Sequence, residues 1–241
     1  MTSVELVRSG KLSEALAAVV AEVRDHPADV GKRTFLFELL CFAGQYDRAE
    51  KHLNLLAQGT PDAEFGALLY RSALAAQRKR EALFTSGDYP DIASVKPSPP
   101  GKLNGRPFTS LQDLDPRIGP RLEVFVAGEY VWLPFEHIGS IHMTAPRYLR
   151  DTLWAAATVQ TGPSFQGKDF GEVLVPMLAP FSWQHEHDDV KLGHATDWKQ
   201  QGESLIPFGQ KLLVVDEETV VPFLEIRELT FVETAAQSSV S

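Results

Sequence analysis

The stretch GQYDRA at residues 44–49 decides the fold of this chain, because its pattern also occurs 34 residues earlier. Glycine adopts the positive φ of a tight turn between helices without steric cost, and alanine lets two helix backbones approach where they cross. A proline fits the first turn of a helix, where its missing N–H has no partner to lose. The matching pairs are Gly10 and Gly44, Leu12 and Tyr46, Ala15 and Ala49, and Pro27 and Pro61. The pattern therefore predicts two consecutive helical hairpins.

The period of 34 residues is that of the tetratricopeptide repeat, a helix pair that buries its apolar face only against a neighbouring pair. Residues 63–84 continue as a helix, but Arg78 and Leu83 stand where the pattern needs glycine and alanine. This segment therefore predicts the first helix of an incomplete third repeat. We expect a tetratricopeptide-like helical domain over residues 1–84, of a kind that holds another polypeptide and rarely catalyses a reaction. A plain helical hairpin with accidental spacing is the alternative.

The composition changes abruptly after residue 84. Residues 85–117 contain six prolines and three glycines, which exclude a regular helix and predict an extended linker. Beyond it the apolar period changes from 3.6 to 2, and Ala127-Gly128 between two alternating segments is typical of a hairpin. Further strand candidates lie at residues 138–143, 153–159, 171–178, 211–215, 220–226 and 229–232.

These short strands predict an all-β domain over residues 118–234, built as a small sandwich or partly open barrel. The fold class is therefore α+β, with the helical repeat domain first and the β domain second. Residues 235–241 form a polar tail that we expect to be disordered.

Charge and composition narrow the classes of function. A net charge of −9 and a pI near 5.3 oppose binding to nucleic acid or to an anionic membrane surface. Glu5 and Arg8 interrupt any apolar run at the N-terminus, and no stretch approaches 18 apolar residues. The single cysteine, Cys41, excludes an internal disulfide. We expect a cytoplasmic protein without nucleic-acid or membrane partners.

The segment WQHEHDD at residues 183–189, with His194 beyond it, concentrates side chains that can bind metal. A zincin needs two histidines at i and i+4 on one helical face, whereas His185 and His187 are two residues apart. A polar loop that happens to be rich in histidine is the simpler interpretation. We predict no cofactor, no metal site and no catalytic residue. The alternative is a metal-dependent hydrolase that uses His185, His187 and either Asp188 or His194.

The helix predicted from about residue 32 to residue 43 is apolar nearly all round. A stacked helix needs one core stripe, so the second stripe must be covered by another group. Two explanations remain open, a groove that binds a partner helix and a contact with the chain's own linker or β domain. The predicted groove residues on this helix and the next are Phe35, Glu38, Leu39, Phe42, Phe65, Leu68 and Ser72.

Several motifs carry a family resemblance. They are FLFELL at 35–40, GQYDRA at 44–49, GEYVWLPF at 128–135, LRD at 149–151 with Trp154, and LG at 192–193 with TDW at 196–198. With these motifs the chain resembles the ImpE/TagJ (SciE-type) proteins of type VI secretion loci over nearly its whole length, apart from the linker and the tail. His194 departs from the pattern, because the family is expected to have arginine more often at this position.

The resemblance implies a cytoplasmic, non-catalytic accessory protein of the secretion apparatus. It further implies two partners, the N-terminal helix of the small sheath subunit and the ClpV-type AAA+ ATPase that recycles contracted sheath. Neither partner follows from composition or periodicity.

Overall fold

The computed structural model describes residues 1–58, 60–91, 94–165, 167 and 170–232, and begins with an array of helices. Gly10 and Gly44 form the turns inside the two predicted repeats, with φ values of +76° and +67°. The helices are α1 (Ser3–Arg8), α2 (Leu12–Asp25), α3 (Val30–Phe42), α4 (Tyr46–Leu56) and α5 (Pro61–Ser86). The two hairpins and the single closing helix of the predicted repeat domain are confirmed. Among the described residues, no helix is long and apolar enough to cross a membrane.

The packing of the repeats follows from their small residues. Ala15 and Ala49 are fully buried where the helices cross, as expected of residues that let backbones approach closely. Pro61 is the first residue of α5. The position expected for Pro27 is wrong, because α3 begins three residues later and is capped by the Asp29 carboxylate, which accepts the Lys32 N–H.

The second half of the chain is β-rich, and its main sheet has eight strands in the order β2-β1-β13-β6-β7-β8-β4-β5. A three-stranded sheet has the order β12-β11-β3, and β9 and β10 form a separate hairpin. The strands are β1 (Gly101–Leu103), β2 (Arg106–Phe108), β3 (Leu111–Asp113), β4 (Arg121–Val126), β5 (Glu129–Pro134), β6 (Ile138–Met143), β7 (Trp154–Thr161), β8 (Gly171–Pro176), β9 (Thr196–Gln201), β10 (Ser204–Gly209), β11 (Leu212–Val215), β12 (Thr219–Pro222) and β13 (Glu228–Phe231). A short helix, α6 (Asp188–Lys191), lies between β8 and β9. The α+β fold class is confirmed.

The agreement with the predicted strands is uneven. The β4–β5 hairpin turns at Ala127 and Gly128, which both have positive φ, as a two-residue turn between twisted strands requires. The predicted linker is wrong between residues 101 and 113, where β1, β2 and β3 join the sheets. Pro107 is compatible with β2 because β2 is an edge strand and leaves its outer side unpaired. The predicted disordered tail lies outside the described residues.

The two faces of the main sheet pack against different partners. Val124, Val159 and Val175 point to a core shared with the three-stranded sheet. Phe125 and Trp154 point to the opposite face and join the core of the helical repeats. Because neighbouring strand residues alternate between faces, one sheet connects both cores. The helices and the main sheet therefore share one packed core.

A buried ionic cluster reinforces the contact between α5 and the sheet. The Arg80 guanidinium donates to both carboxylate oxygens of Glu123, at 2.7 and 2.9 Å, and to the Leu178 carbonyl at 3.0 Å. The Lys211 ammonium contacts Glu123 and lies 2.7 Å from Asp113. Burial alone would raise the pKa of Glu123, but Arg80 and Lys211 lower it to about 2. Burial raises the pKa of Asp113 to about 6 despite Lys211. Glu123 is thus the ionised centre of the cluster.

Candidate functional site

The chain's own β region covers the part of the predicted α3 groove that contains Leu39 and Phe42. Leu39 is fully buried and Phe42 is 1% exposed. Phe42 lines a cavity of about 20 Å³ together with Leu153 and Leu178, which belong to the β region. The groove prediction is therefore wrong for Leu39 and Phe42, and the alternative of a contact within the chain is correct. The helix is apolar nearly all round because it packs against other helices on one side and the β region on another.

Glu38 and Phe35 belong to the same contact within the chain. The buried Glu38 carboxylate accepts a hydrogen bond from the Arg150 guanidinium at 3.1 Å. Burial raises the pKa of Glu38, while Arg150 acts in the opposite direction. Phe35 is partly buried against the helical core. Glu38 thus joins α3 to the loop before β7, and it also lines a cleft of about 160 Å³ between α3, α4 and α5.

The predicted residues on α5 remain accessible. Phe65 is 77% exposed, Leu68 is also exposed, and Ser72 is partly exposed. Leu69, which is not among the predicted groove residues, is 49% exposed. The spacing i, i+3, i+4 and i+7 places these four residues on one helical face. Farther along the helix, this face turns towards the sheet and becomes buried at Ala73, Ala76 and Arg80. The first half of α5 therefore presents an apolar stripe that the chain itself leaves uncovered.

This stripe borders a cleft between α5 and the outer face of the main sheet, which we call the α5 cleft. It has a volume of about 170 Å³. Its lining residues are Leu69, Ser72 and Ala73 from α5, Phe125, Val126, Ala127 and Gly128 from β4 and its turn, and Ala156, Glu172, Val173 and Leu174 from β7 and β8. Of the described residues that line it, only Glu172 is charged. Such a cleft offers apolar contact area with little polar specificity.

The sheet side of the α5 cleft is what sequence reasoning missed. Ala156 and Leu174 lie more than 80 residues after the α5 residues that line the cleft, so no local pattern connects them. Leu69 could have been found, because it lies four residues after Phe65 on the same face. A Cβ at Gly128 would lie 3.9 Å from the Cα of Ser72, so the β4–β5 turn also approaches α5.

The histidine-rich segment does not have the geometry of a metal site. His185 is 2% exposed, and its Nε2 lies 3.0 Å from an Asp197 carboxylate oxygen. Its Nδ1 accepts the backbone N–H of His187 at 3.1 Å, which assigns the ring proton to Nε2 as a donor to Asp197. Within the described ranges, no group of three histidine, cysteine, aspartate or glutamate side chains could hold a metal ion. Both ring nitrogens of His185 are therefore engaged within the protein.

Residues 181–194 instead form a strap across the turns of both repeats. A Cβ at Gly44 would lie 2.3 Å from the Trp183 ring, and one at Gly10 would lie 3.1 Å from the Asp189 Cβ. The Trp183 indole donates to Glu81 of α5 at 2.9 Å. These contacts explain why both repeat turns need glycine for space as well as for positive φ.

The strap also completes a helix terminus. The first turn of α2 has no cap from its own N-cap residue, Lys11. The Asp188 carboxylate of α6 accepts the backbone N–H of Ser13 at 2.7 Å and lies 3.1 Å from its hydroxyl. A carboxylate at this position also interacts favourably with the helix dipole. Asp188 and His185 of this segment thus both have structural partners within the chain.

We expect His185→Ala to lower the free energy of unfolding by about 1–2 kcal/mol, because it removes a buried, doubly hydrogen-bonded ring. His187→Ala, which removes a more exposed ring, should change it by less than about 0.5 kcal/mol. Urea titration gives both values, and elemental analysis of protein purified without an affinity tag should find well under one equivalent of zinc. Stoichiometric zinc that is lost in His185→Ala would instead favour the hydrolase alternative.

Comparison with known proteins identifies a family and several similar chains. The profile of the ImpE protein family matches residues 105–230. The type VI secretion system accessory component TagJ of Pseudomonas aeruginosa PAO1 is 30% identical over 98% of this chain and 93% of its own length. The crystal structure of protein VPA1032 from Vibrio parahaemolyticus superposes with a TM-score of 0.83 at 24% identity, covering 97% of this chain and 98% of that chain. That structure has the same combination of helical repeats and β-sheets.

Proposed function

Because the chain belongs to the ImpE family, we propose that it is a non-catalytic adaptor of a type VI secretion system. Its Pseudomonas aeruginosa relative is an accessory component of such a system. In this proposal the protein binds the N-terminal helix of the small sheath subunit and links the sheath to its ClpV-type AAA+ recycling ATPase. Both partners are the ones that the family resemblance implies.

The α5 cleft is the observation that carries this proposal. Phe65, Leu68 and Leu69 form an exposed apolar stripe beside a cleft floored by Phe125 and Leu174. Exposed apolar area that is contiguous with a cleft marks an interaction surface more often than a chance exposure. A partner helix could place its own i, i+3/i+4 and i+7 side chains against this stripe, which is the helix-in-groove mode of recognition. We therefore assign the sheath helix to the α5 cleft.

We expect Leu69→Glu to weaken binding of a synthetic peptide with the sequence of the sheath subunit's N-terminal helix by about 2 kcal/mol, or roughly 30-fold. The carboxylate would remain hydrated in the free protein, so the free energy of unfolding should change by less than about 1 kcal/mol. Calorimetric titration measures the affinity, and thermal denaturation of the same sample measures the stability.

Leu55→Glu is the matched control. Leu55 on α4 has the same exposed fraction as Leu69, 49%, but does not line the α5 cleft. It should bind the peptide as the parent protein does. Equal affinities of both variants and the parent would exclude the α5 cleft as the binding site. A parent protein that binds no sheath peptide would refute the proposed partner itself.

The link to the ATPase requires a separate experiment. Immobilised protein, incubated with extract of its own cells, should retain the small sheath subunit, and Leu69→Glu should reduce that retention. Addition of purified ATPase to the washed complex then tests the second contact. Retention of the ATPase only when sheath is present would indicate that the sheath, and not this protein, bridges to it.

A further inference from the structure

Two exposed carboxylates, those of Glu172 and Asp62, lie beside the α5 cleft and the apolar stripe. Glu172 lines the cleft and is exposed. Asp62 is exposed at the start of α5 and shares a helical face with Phe65 and Leu69, at spacings of three and seven residues. In the part of the chain that the structure describes, neither carboxylate has a hydrogen-bonded or ion-paired partner. Both therefore stand free at the edges of the apolar stripe.

None of the described residues that line the α5 cleft is basic. Lys79 is bound to Glu129 at 2.5 Å. Arg71 donates to the neutral Asn54 side chain at 2.9 Å and keeps its charge, but it does not line the cleft. The charge is distributed unevenly along the chain. Residues 1–86 contain eleven basic and eleven acidic side chains, so residues 87–241 carry the whole net charge of −9. The sheet side of the cleft thus lies in the acidic part of the chain.

The floor of the cleft selects a helix over an extended strand. The floor belongs to β4, β7 and β8, and each of these strands already pairs with a neighbour on both sides. A partner strand could not add to them, because strand addition requires an unpaired edge. A partner can therefore reach the floor with its side chains, as the proposed helix would, but not by adding a strand.

We infer that the occupant of the α5 cleft is a basic amphipathic helix, with an apolar stripe flanked by lysine or arginine. This inference rests on the proposed use of the α5 cleft and specifies the chemistry of its partner. The apolar stripe of the helix packs on Phe65, Leu69 and the floor, and the flanking cations face Asp62 and Glu172. An acidic helix of the same shape is repelled, so charge selects among helices that fit equally well.

Two synthetic model helices with the same leucine stripe test the inference, one flanked by lysine and the other by glutamate. At low salt the lysine helix should bind the full-length protein at least about tenfold more tightly. The ratio should shrink as salt shortens the screening length. Asp62→Lys combined with Glu172→Lys should reverse the preference. Glu203→Lys combined with Glu218→Lys, which changes exposed carboxylates outside the cleft by the same total charge, should leave the preference in place.

Measurable and equal affinity for both model helices would overturn the inference while leaving the cleft as a binding site. Reversal by the control pair would overturn it as well, because the preference would then reflect net charge alone. Failure of the proposed function looks different. In that case the lysine helix would bind with the expected preference while the sheath peptide would not bind.

Discussion

Phe42→Glu is expected to destabilise the protein by at least about 4 kcal/mol. Phe42 is 1% exposed and lies where α3 meets the β region. Loss of a buried phenylalanine typically costs about 3–5 kcal/mol, and an unpaired carboxylate in its place adds a desolvation penalty. Urea denaturation followed by circular dichroism measures the change.

Two further variants keep this expectation testable if Phe42→Glu does not fold. Phe42→Leu retains an apolar side chain and should cost less, about 1–2 kcal/mol. Phe65→Glu introduces the same carboxylate at a residue that is 77% exposed, and should change the stability by less than about 1 kcal/mol. A Phe42→Glu protein as stable as Phe65→Glu would mean that α3 is not covered by the β region.

Glu123→Ala is the second large effect that we expect, a loss of about 3–5 kcal/mol. The side chains of Arg80 and Lys211 are each 2% exposed. Without Glu123 the guanidinium of Arg80 would lose its carboxylate partner while keeping the Leu178 carbonyl. A buried cation without a counter-charge is more costly than the absence of the whole ion pair. Urea unfolding of the variant measures the loss.

The double variant Arg80→Met with Glu123→Leu should recover part of this loss, because it removes the unpaired charge. Glu129→Ala is the control, since Glu129 pairs with Lys79 on the exposed side of the same helix. It should change the stability by less than about 1 kcal/mol. If Glu123→Ala and Glu129→Ala cost the same, then the buried cluster contributes no more than a surface ion pair.

The repeats were predictable because their signals are local. Gly10 and Gly44 form the turns, the alanines that follow them lie at the helix crossings, and all of these residues lie within about 40 residues of one another. The β4–β5 hairpin was predictable for the same reason, since Ala127 and Gly128 supply the positive φ that its turn needs. In these segments the residues that determine the structure are neighbours in the chain.

The remaining features depend on contacts between distant residues. β1 exists because Gly101–Leu103 pairs with β13, more than 120 residues later, so its three residues carry no periodic signal. The apolar character of α3 indicated a second covering surface but not its identity, and Phe42 was therefore assigned to a groove. In the sequence, His185 is a possible metal ligand because its partner is not evident. That partner, Asp197, lies in β9, and the composition of β9 does not predict a strand.

The positions of the tryptophans make the strap and the contact between α5 and the main sheet visible by fluorescence. Trp183 lies against the Gly44 turn, the buried Trp154 lies 3.5 Å from the Gln77 amide of α5, and Trp132 packs on Phe84 at a ring distance of 5.7 Å. Three of the four tryptophans thus report on the boundary between the helices and the β region. Intrinsic fluorescence therefore follows separation of the repeats from the sheet, while far-ultraviolet circular dichroism follows the helices themselves. A fluorescence change that precedes the loss of helical signal identifies a state in which the repeats have detached but remain folded.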